Sequence, residues 1–229
     1  MNSKGVSEVF GGLLVLLAIV GVAGIIFTIS YPTIWVAQEN VKMRNAYFDL
    51  FELREKIERV RSGLEFKSIH TIQLYDLSID FRNEPIIRIN NTNYSISSIK
   101  LIGHDGYVAY ENGAIIMNRS GIAKMMSSPN INYINNTRTL YLPIIKLQSN
   151  FSVAMEGFAG KSVNLPVYFY LRNTSTIMGD GPIVFYSTNA NAWEEFFRLI
   201  GINFTRSGNY ITIQNISYFA VIYEVEIYG

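Results

Sequence analysis

The sequence predicts an α+β protein. A long N-terminal helix, apolar in its first half and amphipathic in its second, precedes an antiparallel β-rich globular domain of one sheet or of two packed as a sandwich. One short helix falls near the C-terminus. Three observations lead there. Residues 9–37 carry no charged side chain. Ala46, Leu50, Leu53, Ile57, Val60 and Leu64 then recur at alternating spacings of four and three, which is one stripe of a helix. From residue 68 onward the repeat shortens to two, as a half-buried strand requires.

The elements follow in order. Residues 9–29 are almost continuously apolar. As a helix at ~1.5 Å per residue they cover ~31 Å, the thickness of a bilayer core. A membrane span over 9–30 is therefore expected, with Tyr31 and Trp35 at the depth of an interfacial aromatic belt. The run is longer than the apolar region of a secretory signal, and no small-x-small cleavage site follows it. Lys4 before the span and mixed charges after it favour a cytoplasmic N-terminus. An amphipathic segment over 38–62 continues the helix, so that 6–64 form one long element. Pro32 is expected to kink or unwind it, because proline removes a backbone hydrogen bond. Met43, Tyr47 and Phe51 make a second apolar row, and Ser62-Gly63 supplies the stop.

The domain over 68–229 contains strand signals at 71–81, 86–89, 98–102, 107–110, 114–118, 139–147, 162–171, 183–187, 210–214 and 219–228. Gly-Asp, Asn-Gly and Ser-Gly-Asn clusters separate many of them. Residues 190–201 read as the short helix, with Trp193, Phe196, Phe197 and Ile200 on one face and Gly201 as the stop.

The totals exclude several kinds of chemistry. The chain has 229 residues, no cysteine, 49% hydrophobic and 16% charged side chains, and a net charge of +1. A disulfide framework and thiolate chemistry are absent, and so small a charge attracts nucleic acid weakly. His70 and His104 stand without a second ligand at metal spacing. No phosphate-binding Gly-x-x-x-x-Gly-Lys occurs, and no nucleophile elbow. The reading is of a protein that is not an enzyme and takes no cofactor or metal, with a tethered secreted enzyme as the third and weakest alternative.

Eight Asn-x-Ser/Thr triplets lie beyond the helix, at Asn90, Asn93, Asn118, Asn135, Asn150, Asn173, Asn203 and Asn215. Composition alone gives about three. The excess marks an exported, glycosylated surface; crowding of Asn, Ser and Thr into turns is the competing explanation. Asn215 precedes a strand, where burial would oppose modification.

Glu8 is the residue at odds with its surroundings, because an acid at the edge of a membrane span needs a partner or the interface. One reading places it at headgroup level, favoured by the helix dipole; the other pairs it with a new α-amino group made by cleavage just before it. Lys4-Gly5-Val6-Ser7-Glu8-Val9-Phe10-Gly11-Gly12, followed at once by Leu-Leu-Val-Leu-Leu-Ala-Ile-Val, resembles the class III signal of the archaeal type IV pilin-like superfamily, the pilins and archaellins. The resemblance implies that residues 1–5 are a leader removed by a prepilin peptidase. Gly5 would precede the cut and Val6 begin the mature chain, with cleavage between Lys4 and Gly5 as the alternative. Glu8 would then sit near the mature N-terminus and neutralise a neighbouring subunit's amine. It further implies a precursor held in the membrane, then a helical filament with further copies or other pilins, with the domain over 68–229 outside the cell for surface contact or adhesion. The competing reading is a monomeric membrane-anchored binding protein of the cell envelope.

Overall fold

The computed structural model describes residues 3–149 and 162–228, and the side chains of 10–148 and 163–228. A single helix, α1 (Ser3–Arg61), opens the chain and includes Pro32 without interruption. The expected unwinding does not occur, since one missing hydrogen bond is a local cost that the turns on either side outlast. By its packing the chain divides into two units, Met1–Val41 and Lys42–Gly229. In the first, every side chain from 10 to 29 is exposed.

Among the described residues of the second unit thirteen strands follow: β1 (Lys67–Tyr75), β2 (Ser78–Arg82), β3 (Ile86–Ile89), β4 (Thr92–Ser95), β5 (Ser98–Ile102), β6 (Gly106–Glu111), β7 (Ala114–Arg119), β8 (Ile122–Ser127), β9 (Asn132–Ile134), β10 (Thr139–Ser149), β11 (Ser162–Tyr186), β12 (Phe204–Ser207) and β13 (Tyr210–Tyr228). The helix α2 (Ala190–Leu199) lies between β11 and β12. The strands form two sheets. The larger runs β4-β3-β11-β13-β10-β9, with β1 added to β11 and β12 to β13; the smaller runs β2-β5-β6-β7-β8.

Several sequence boundaries move for identifiable reasons. The 71–81 run divides at Asp76, whose φ of 53° turns the chain, so β1 and β2 enter different sheets. The runs 162–171 and 183–187 are one strand, β11, and 210–214 and 219–228 are one strand, β13. The polar segments between them remain in the ladder and absorb their misfit as register shifts at Leu171/Asn173 and Gly181/Ile183. One pair departs from antiparallel order, since β10 lies parallel to β13, with Thr139 opposite Ser217.

Two cores result. One holds Met43, Ala46, Leu50, Leu53, Ile57 and Val60 of α1 against β1, β2, β5, β6 and the ends of β10, β11 and β13. Each fully buried aliphatic side chain there contributes about 1.5–3 kcal/mol. Leu64, the last residue of the expected stripe, lies beyond the helix and is 76% exposed. Tyr47 and Phe51 are half-buried against this same core and Met43 is fully buried in it. The second apolar row thus packs at least in part on its own domain. The other core gathers α2, the faces of β3 and β7, and the middle of β10 and β13. Long strands serve both: on β13, Ala220 and Ile222 face one core and Val225 and Ile227 the other. Trp193 and Phe197 pack against Phe185, the first tilted with ring centres 5.7 Å apart and the second edge-on at 4.8 Å.

Candidate assembly helix and glycan acceptors

The apolar stretch of α1 is long and apolar enough to cross a membrane. Val15, Ala18, Ile19, Val22, Ala23 and Ile26 line a shallow groove along one of its faces. These positions fall at helical spacing, and the two alanines make the face low. A low face admits a neighbouring helix at short distance. Gly5, Val6 and Glu8 lie in the opening turns of α1.

The sugar acceptors separate into groups once their surroundings are seen. Asn93 on β4, Asn135 in the turn from β9 to β10, and Asn173 on β11 are exposed. The Asn173 Oδ1 accepts from the neighbouring Thr174 N–H at 2.9 Å, and its amide also donates to the Glu224 carboxylate at the surface. Asn90 is exposed as a residue, but its amide donates to the Tyr218 hydroxyl at 2.9 Å and lies where a Cβ on Gly181 would collide. Asn118 is half-buried and donates to the Tyr107 hydroxyl at 3.3 Å. Asn203 and Asn215 are both exposed and line one cleft. The expected burial of Asn215 is overturned, because the residue sits within β13 at φ 52°, opposite a register shift that turns its side chain outward. Asn150 lies outside the described residues.

Sequence reading missed a buried polar lock at the tip of β6 and β7. Glu111 is 1% exposed. Its carboxylate accepts from Ser187 Oγ at 2.9 Å, Asn189 Nδ2 at 2.6 Å and Trp193 Nε1 at 3.0 Å. Three donors satisfy a buried acid without a cation. They also bind the small sheet to the segment that starts α2. The next residue, Asn112, is fully buried at φ 48°, and with Gly113 at 83° it forms the two-residue turn of the hairpin. Its amide donates to Pro143 O at 2.9 Å and accepts from Ile145 N at 2.8 Å, so one side chain joins this hairpin to β10. Glu111-Asn112-Gly113 carries an ordinary turn signature, which hides both roles. The nearby Tyr107 hydroxyl donates to Asn189 Oδ1 at 2.8 Å, and burial, with the charge of Glu111, pushes its pKa up.

A second polar cluster joins α1 to β1. Asp49 Oδ2 accepts the Gln73 N–H at 2.9 Å, and the His70 ring lies 4.0 Å from both Asp49 and Glu52. Burial raises the Asp49 carboxyl to about 6, and burial lowers the pKa of His70. Among the described residues no group of three or more His, Cys, Asp and Glu stands at metal-binding distance.

An exposed apolar helix joined to a β domain with surface asparagine triplets defines a class, that of helix-tethered β proteins. No family model matches the chain. An uncharacterized protein of Archaeoglobus fulgidus is 28% identical to it over 66% of this chain and 68% of the relative's length. No solved structure matches.

Proposed function

We propose that the chain is a structural subunit, major or minor, of an archaeal type IV pilus-like surface filament. The precursor is held in the membrane by α1 with its N-terminus in the cytoplasm. A prepilin peptidase removes residues 1–5, Glu8 neutralises a neighbour's amine, and the apolar half of α1 bundles with other copies. The β domain faces outward for surface contact, glycosylated at the open acceptors Asn93, Asn135 and Asn173.

One observation carries this reading. A helix whose side chains from 10 to 29 are all exposed and, Thr28 aside, carry no polar group directly follows a segment resembling a prepilin leader. Such a surface needs lipid or other helices around it. The groove with Ala18 and Ala23 suits helices better than lipid alone. Similarity to a protein from an archaeon accords with it.

A second reading, a monomeric envelope protein anchored by the same helix, draws on a specific finding. Met43 is buried and Tyr47 and Phe51 are half-buried against their own domain, which leaves a neighbour only part of that row. N-terminal sequencing and intact mass of the protein from membrane and sheared-filament fractions decide between them. A start at Val6 or Gly5 in the sheared fraction is expected, with excess mass counting the sugars. An uncut N-terminus confined to the membrane fraction supports the anchored monomer instead. Replacing Gly5 by a bulky residue is expected to leave unprocessed precursor in the membrane.

A further inference from the structure

The edge of β13 is interrupted. β11 covers one side of it from Tyr210 to Tyr228. On the opposite side β12 reaches only to Ile213 and β10 begins only at Ser217. Among the described residues no strand lies beside 214–216 there, and a cleft of about 250 Å³ opens at the break. Its walls include Tyr133 of β9, Arg138 before β10, Asn203 and Phe204 at the start of β12, and Gln214 and Asn215 of β13. The left-handed backbone at Asn215 throws Gln214 and Asn215 outward together.

The side chains have one chemical character. Three planar amides both donate and accept, as neighbouring hydroxyls on a ring demand. Tyr133 and Phe204 are half-buried and present apolar surface for a C–H face. Arg138 is the single charged group on the wall, exposed, and paired with no carboxylate among the described residues. Its planar fork fits a carboxylate with two parallel hydrogen bonds. The space suits a sugar ring, and small-ligand sites commonly join apolar walls to a few convergent polar groups.

We infer that this cleft binds an acidic sugar of the uronic-acid type, with Arg138 on its carboxylate and the amides of Asn203, Gln214 and Asn215 on its hydroxyls. The inference stands on the cleft and is independent of filament assembly. It also removes Asn203 and Asn215 from the glycan acceptors, because a sugar attached to either would fill the space.

The test uses the full chain in detergent micelles, made in a host without N-glycosylation. Calorimetric titration with a galacturonic acid trisaccharide is compared with titration by the neutral galactose trisaccharide. Saturable binding of the acidic trisaccharide is expected, with the neutral one much weaker. Arg138→Gln is expected to weaken it about tenfold or more, the scale of one charge-assisted contact. Arg138→Lys should recover part of the loss, and Lys124→Gln, an exposed cation on β8, should change nothing. Circular dichroism of each variant verifies the fold. The inference is overturned if the acidic trisaccharide does not bind, if folded Arg138→Gln binds as tightly as the parent, or if Lys124→Gln loses as much. A glycan found on Asn203 or Asn215 of the protein from its native cells also overturns it.

Discussion

The two halves of α1 are built from similar side chains and meet opposite surroundings. Leu17 is 58% exposed in the first half, and Leu53 is 0% exposed in the second. The difference lies in what alternates with the apolar residues. Charges at Glu52, Glu55, Lys56, Glu58 and Arg59 leave the second half one apolar stripe, which its own β domain covers. The first half has no polar face, so one flank of a domain could not cover it. Covering on all sides must come from lipid or from several copies.

The largest expected effect probes that contrast directly. Leu53→Ala should cost the domain about 2–5 kcal/mol, read as a lowered urea midpoint of the full chain in detergent. Leu17→Ala should leave that midpoint where it is. Equal losses would break the comparison, because they would make the first half part of the domain's own core. Next comes the lock at the hairpin tip. Glu111→Ala strands three buried donors and should cost about 2–3 kcal/mol by the same measurement.

A smaller effect depends on pH. Folding raises the Asp49 carboxyl from 3.8 to about 6, so between those values the folded chain holds the proton more tightly than the unfolded chain. Stability from this group is full below 3.8 and is lost as pH rises through 6. His70 runs the other way: its pKa is lowered on folding, so its contribution is full above the unfolded value of 6.5 and is lost as pH falls from there through the lower folded value. Asp49→Asn keeps an acceptor for Gln73 N–H and removes the first dependence. It should raise stability at pH 7 by on the order of 1 kcal/mol, after allowance for solvent screening, and by much less near pH 4. An unchanged difference between the two pH values would show that the carboxyl titrates normally. The smallest effect sharpens where the stripe stops. Leu64→Ser should stay within about 0.5 kcal/mol of the parent, since the residue lies past the helix.

Much of the architecture was legible because its causes are local. The uncharged stretch, the 4-3 spacing that ends at Val60, and the period-two runs reflect neighbours along the chain, and the same holds for the turn into α2. Leu64 misled because spacing continues past the point where Gly63, at φ 74°, ends the helix. The strands β4, β9 and β12 are short and largely polar, and β8 places Met125 and Met126 side by side, so none of them alternates apolar with polar side chains along the chain. The joining of β11 across Gly179-Asp180-Gly181 and the parallel pairing of β10 with β13 depend on residues far apart in sequence, which a window cannot see. Of the candidate sites, the open asparagines were recognisable by triplet alone, but only the fold separates Asn93 from Asn118 or reveals that Asn203 and Asn215 meet. The roles of Glu111 and Asn112 are equally three-dimensional.

The central place of β13 bears on the order in which such a chain can fold. Its residues pair with β10, β11 and β12, and the parallel pairing alone spans a sequence separation of 78 between Thr139 and Ser217. β1 in turn joins the larger sheet through β11, with Lys67 opposite Tyr170. Contacts this distant form late. Until the β13 segment is in place the larger sheet lacks the strand that β10, β11 and β12 share, so a chain stalled before Tyr210 cannot assemble that sheet however well its hairpins form.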